Sequence, residues 1–317
     1  MSADFRLEGM YRVQSRRRAA PSALVGQWMK PAPGLLDSAV VNEALTRHRA
    51  WRGITRVLLQ PAWIARREGT FLDEPDILYK REFFTPTNGG EMPADIVDVR
   101  KSTALWSKRR GALSRVVTSS AVTAVEEHLG DLGVVVANEY FCHEAGHMLG
   151  HDVLTKYARG YFRLQGATLW PLVFVEELRA DLHAFGFALE LLPPDRAAAI
   201  FLYNVLLRFG VHAAAAARGK AYGTVPYLLF HLLAAHDFIT VEKRNGRPFL
   251  KLHVLDRDAA LEAMRVCAEH AERELTEIEL FDDELGASAI HAARYHRARI
   301  EDEATRASFA SVFRGAS

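Results

Sequence analysis

Residues 134–150, VVVANEYFCHEAGHMLG, constrain the fold more than any other part of the chain. Apolar residues fill this segment at helical spacing and wrap all round it, so it belongs in an interior. It nevertheless carries Glu139, His143, Glu144 and His147, and ionisable groups are costly to bury without partners. Residues four apart on a helix lie one above the other, so the imidazoles of His143 and His147 in HEAGH can reach one ion. Glu144 is rotated off that direction and is better placed to take a proton from an ion-activated water than to ligate. The reading is a zinc ion, Zn2+, held by His143 and His147, with Glu144 as general base. Glu139, one turn before His143, is expected to be a solvated glutamate, with support of that histidine as the alternative, and Cys142 a small buried hydrophobe.

A catalytic zinc takes a third protein ligand and leaves its fourth position to water. Glu177, in FVEELRAD, opens a second long helical segment. Asp181 follows one turn later on the same face, where it can accept a hydrogen bond from a ligating histidine while Glu177 binds the ion. His151 and Asp152 are alternatives that require the chain to bend differently beyond Gly150. His183, six residues from Glu177, points to another helical face and is expected to be unremarkable.

With these residues identified, the sequence resembles the gluzincin metallopeptidases, in which HExxH on one helix is completed by a glutamate in an ExxxD pattern on a later helix. The match is His143, Glu144, His147, Glu177 and Asp181. Within that group, EELRAD resembles the EExRAE segment of the dipeptidyl peptidase III family, whose second glutamate is the ligand; this again implies Glu177. That family has one more residue between its histidines than HEAGH has. The resemblance runs from His143 to Asp181, implies a zinc hydrolase of peptidase type, and leaves the substrate and the N-terminal region unassigned. HEAGHMLGHD also looks like the opening of the metzincin signature HExxHxxGxxH, but Val153 stands where the third histidine belongs. A di-iron bundle needs two ExxH pairs, and only Glu144 with His147 supplies one.

Hydrolysis also needs a donor for the developing oxyanion. AYGTVPYLLFHLLAAHDF offers Tyr227 and His231, four apart on one helical face, with Tyr222 on the preceding loop and His236 further along.

Strand-like FRLEGMYRVQ and ITRVLLQPAWI, broken by turns, predict a mixed N-terminal lobe over residues 1–115. Helical periodicity dominates 116–317, with helices expected at 119–129, 134–149, 171–191, 195–216, 224–238, 257–280 and 286–313. A hairpin turning at Asn245 and Gly246 separates the later ones. The expected fold is α+β, a mixed lobe packed on a mainly helical, zincin-like catalytic lobe. Pro86–Pro93 reads as a surface loop, and Arg16–Arg18 as a solvated edge.

A net charge of +1 over 317 residues supplies no global field for nucleic acid or an anionic membrane. Two cysteines cannot build a disulfide framework, and the first thirty residues lack the apolar core of a secretion signal, so a reduced cytoplasm is expected. The expected partner is a small peptide or another small molecule. Rival readings are a zinc lyase or tailoring enzyme acting on a metabolite, and a noncatalytic protein with a closed structural metal.

Overall fold

The computed structural model describes residues 4–11, 20–53, 56–73, 78–81, 84, 94–150, 163–164, 167–215, 220–276 and 285–314. Arg16–Arg18, the loop Pro86–Pro93, and His151 and Asp152 lie outside these residues. The fold is mixed α+β.

The N-terminal part forms a five-stranded sheet from β1 (Asp4–Tyr11), β2 (Ala20–Trp28), β3 (Leu59–Glu68), β4 (Leu78–Tyr79) and β5 (Asp95–Asp98), in the order β1-β2-β3-β5-β4. Only β3 and β5 pair in parallel. Two helices flank these strands, α1 (Ser38–Arg47) and α2 (Val99–Leu113). Sheet residues Leu24, Ala62, Ile64, Tyr79 and Ile96, with Phe71 and Phe84 from the connecting segments, make a small core of their own. Both helices instead send residues such as Val41, Leu45 and Trp106 into the large core, which therefore draws on both sides of residue 115.

The rest is α3 (Ser119–Leu129), α4 (Leu132–His147), a short ladder of β6 (Arg163–Leu164) with β7 (Ala167–Thr168), α5 (Trp170–Leu191), α6 (Pro194–Ala215) and α7 (Lys220–Ala235). The hairpin β8 (Ile239–Arg244) and β9 (Arg247–Leu252) follows, then α8 (Arg257–His270), α9 (Leu285–Glu301) and α10 (Glu303–Arg314). In the hairpin turn Asn245 and Gly246 have φ of 50° and 78°, the left-handed pair that a tight two-residue turn requires.

Helix α4 is capped by Asp131, whose side chain accepts from Gly133 N and Val134 N. Three consecutive valines are mediocre helix formers, but Val134, Val135 and Val136 are all buried, and packing overrides propensity. Asn138 ties α4 to the segment before α1, accepting from Leu36 N at 2.8 Å and donating to Gly34 O at 2.7 Å. Helix α5 starts with Pro171 in its first turn, lies alongside α4, and ends before the Pro193–Pro194 pair.

Helix bounds in the second half follow the periodicity closely, with two differences. The stretch expected as one helix over 286–313 is two, because Asp302 breaks it and caps α10 by accepting from Thr305 N at 3.1 Å. The stretch expected over 257–280 leaves α-geometry after His270 for a π-turn, Ala271–Leu275. In the first half the periodicity missed α1, β2 and α2, and β3 begins at Leu59 rather than Ile54. No helix among the described residues is long and apolar enough to cross a membrane.

Candidate metal centre

HEAGH occupies the last turns of α4, and EELRAD lies on the facing stretch of α5. The contact between these helices sets the geometry of both histidines. His143 Nδ1 is 2.9 Å from Asp181 Oδ1, and His147 Nδ1 is 2.8 Å from Glu176 Oε1. A carboxylate only accepts, so each Nδ1 carries the proton and each Nε2 keeps its lone pair. The two Nε2 atoms converge to 3.0 Å. Two lone pairs held that close repel unless something positive lies between them, either one shared proton or a cation.

Glu177 faces the same point, with Oε2 4.0 Å from His143 Nε2. The ligand atoms of His143, His147 and Glu177 all lie within 4.8 Å of one another. This donor set of two imidazoles and one carboxylate fits a catalytic zinc ion, which takes those ligand types and keeps one position open. Burial works against a charge on His143, but the hydrogen bond and charge of Asp181, with Glu139 and Glu177, outweigh it and hold the ring at about 9.

Each supporting carboxylate is itself gripped by an arginine. Asp181 receives Arg208 Nε at 2.7 Å and Nη2 at 2.8 Å, and Asn204 Nδ2 at 3.0 Å. Glu176 receives Arg179 Nη2 at 2.7 Å, and Arg179 is wholly buried. Glu139, read from the sequence as solvated, is instead buried. It accepts from Asn204 Nδ2 at 2.9 Å, and burial pushes its carboxyl upward.

Glu144 lies beside the imidazoles with Lys80 Nζ 3.4 Å from Oε2; the same ammonium is 3.3 Å from Asp95 Oδ2. Burial alone would raise the Glu144 carboxyl, but Lys80, His147 and His143 together bring it below its ordinary value. The N-terminal sheet thus places a cation against the residue read as the base.

Tyr227 and His231 have partners at the junction of α9 and α10. The Tyr227 hydroxyl donates to the Arg299 carbonyl, and its ring packs on Phe309; His231 Nε2 is 3.1 Å from Asp302 Oδ2. Their described contacts run there and not to His143, His147 and Glu177, so they brace the C-terminal helices. Tyr222 lies within α7 rather than on a preceding loop. Cys142 is wholly buried, and burial raises its thiol well above the ordinary range.

Two other groups bring three potential ligands together, and hydrogen placement disfavours both. Between His143, Glu139 and Asp181 the closest approach already holds the His143 Nδ1 proton. In the group His48, His183 and Glu272, Ala50 N donates to His48 Nδ1 at 3.2 Å, so the proton of His48 sits on Nε2, an atom 2.7 Å from Glu272 Oε1. Arg49 adds a guanidinium 2.7 Å from Glu272 Oε2. A cation would have to displace that proton and approach that charge. His183 is buried there, bonded through Nε2 to Thr276 Oγ1 at 2.7 Å.

The sequence reading did not single out Glu176, Asn204, Arg208 or Lys80. Asn204 and Arg208 carry a signal it could have used, since both interrupt the apolar run FLYNVLLRFG one turn apart, and buried polar groups need partners. Lys80 carries none, because only the fold brings it to Glu144.

No family model matches the chain, and no curated protein matches it in sequence. Solved structures do match in fold. Dipeptidyl peptidase III from Caldithrix abyssi superposes with a TM-score of 0.53 at 15% identity, over 94% of this chain and 59% of that one. Dipeptidyl-peptidase III from Corallococcus sp. strain EGB gives 0.55 at 12% identity, over 98% of this chain and 58% of that one. The chain thus spans less than two thirds of the length of either.

Proposed function

We propose that the protein is a zinc-dependent hydrolase of peptidase type that cleaves an amide bond in a small peptide or peptide-like substrate. The observation that carries this reading is the convergence of two Nε2 atoms to 3.0 Å, with both Nδ1 atoms engaged by carboxylates and Glu177 facing the same point. The fold likeness to two dipeptidyl peptidase III structures supports the peptidase class.

His143, His147 and Glu177 would hold the ion. Zinc in such a set supplies Lewis acidity, lowering the pKa of a coordinated water to about 7 and polarising a carbonyl. Asp181 and Glu176 keep the rings in the tautomer that presents Nε2. Glu144 accepts a proton from the attacking water and returns it to the leaving amine nitrogen, so the amide C–N bond breaks as a C–O bond forms. Lys80 keeps Glu144 in the ionised form a base requires.

Glu144→Gln tests this reading. The variant should bind zinc like the parent and lose activity on short peptides by several orders of magnitude. Full activity in the variant would remove the proposed base. A parent that takes up zinc but leaves every short peptide intact would turn the assignment toward a non-peptide conversion in the same cradle.

A further inference from the structure

We propose that Arg208 is a positioning residue of the metal-binding group, fixing Asp181 and Glu177 relative to one another so that the ligands are set before an ion arrives. The inference rests on the reading of His143, His147 and Glu177 as ligands.

Glu177 and Asp181 are one turn apart on α5 and therefore share a face. Arg208 reaches both from α6. Its Nε and Nη2 bond Asp181 Oδ2 and Oδ1 at 2.7 and 2.8 Å, and Nη2 stands 3.7 Å from Glu177 Oε2. A planar fork on a planar carboxylate fixes the carboxylate plane as well as its position, which a point charge cannot do.

That plane matters because Asp181 Oδ1 also receives His143 Nδ1 at 2.9 Å. Turning the carboxylate would turn the imidazole and swing Nε2 away from His147. Asn204, one turn before Arg208, adds a further donor to Asp181 Oδ1 at 3.0 Å. Asp181 is wholly buried, so no water shell can substitute for the fork. Glu177 is about one-third exposed, and the same guanidinium draws its carboxylate toward the shared point, opposing its swing into solvent.

The test is zinc affinity by competition with a chromogenic chelator, alongside the visible spectrum of the Co2+-loaded protein, which reports ligand geometry independently of turnover. Arg208→Gln should weaken zinc binding ten- to a hundredfold and change the cobalt bands even at saturating metal. Arg208→Lys keeps the charge without the fork and should recover only part of the loss. Asp181→Asn should fall by a similar factor, and the double variant should fall no further than the worse single one, because both act through one path.

A residue that merely supports folding would lower the thermal midpoint and leave the cobalt spectrum alone. Parental affinity and spectrum in Arg208→Gln would overturn the inference while leaving the ligand assignment intact. Should Arg208→Gln not fold, parental values in Arg208→Lys overturn it equally. A parent that binds no zinc sinks the ligand assignment, and the role of Arg208 with it.

Discussion

A Cβ built on Gly146 of α4 would lie 2.6 Å from the carbonyl oxygen of Ala180 on α5. The glycine in HEAGH therefore lets two helix backbones touch one residue before His147 and one before Asp181. The short histidine–carboxylate distances depend on that contact, because a helix–helix separation larger by a methyl group would carry Asp181 and Glu176 out of hydrogen-bond range.

Gly146→Ala should accordingly do more harm to metal binding than to folding. Alanine gains about 1 kcal/mol in helix propensity, whereas overpacking against backbone that cannot turn aside costs about 1–3 kcal/mol. The net stability change is small and destabilising, but the imidazoles lose their supports. Chelator competition should give at least tenfold weaker zinc binding with a modest drop in thermal midpoint. Unchanged affinity would show that the close approach is not what holds the histidines.

How much of this was legible in the sequence depends on the distance over which each residue acts. His143, Glu144 and His147 are set by one helical turn, and periodicity alone puts them on one face. Glu177 and Asp181 are likewise one turn apart, so their relation to each other is local, although their relation to α4 is not. Glu176 escapes the motif because its neighbour fits it, and only the packing of α5 on α4 gives Glu176 to His147 and leaves Glu177 facing His143 Nε2. Arg208 lies 27 residues along the chain from Asp181, and Lys80 64 from Glu144, with no periodic relation. Asp302 sits inside a helical pattern that continues on both sides, so its cap became visible only in three dimensions.

Lys80→Met removes the ammonium that stands 3.4 Å from Glu144 Oε2. Lys80 lowers the Glu144 carboxyl, so its loss raises it, and the base becomes protonated at higher pH. The acid limb of the kcat/KM profile should move upward, with a loss of activity that grows as pH falls along that limb. Lys80→Arg should restore most of it. A profile in Lys80→Met that matches the parent would mean the ion pair does not act on the base.

The proton or cation required between the two Nε2 atoms predicts that zinc uptake expels a proton. Calorimetric titrations at pH 7 in buffers of different ionisation enthalpy should show about one proton released per ion, and about one ion per chain. His48→Ala should leave that stoichiometry unchanged, since His48 Nδ1 accepts from Ala50 N and Nε2 carries the proton, leaving no lone pair for an ion. Binding of a second ion that is lost in His48→Ala would contradict the hydrogen placement argued above.

Glu272 gives the clearest dependence of stability on pH. Burial would raise its carboxyl, but the contacts with His48 and Arg49, with the neighbouring His183 adding to them, outweigh that and bring it from 4.5 to about 2. A folded-state value below the unfolded one means that the unfolded chain takes up the proton first as pH falls. The stabilisation is therefore complete above about 4.5 and is lost as pH falls through about 2. This carboxylate joins the end of α1 to the π-turn after α8, so its protonation loosens that junction rather than the metal centre. Thermal midpoints of Glu272→Gln should lie below the parent's by a constant margin between pH 5 and 7, and the two curves should converge toward pH 2. Curves that stayed parallel throughout would mean the ionised carboxylate contributes nothing to that junction.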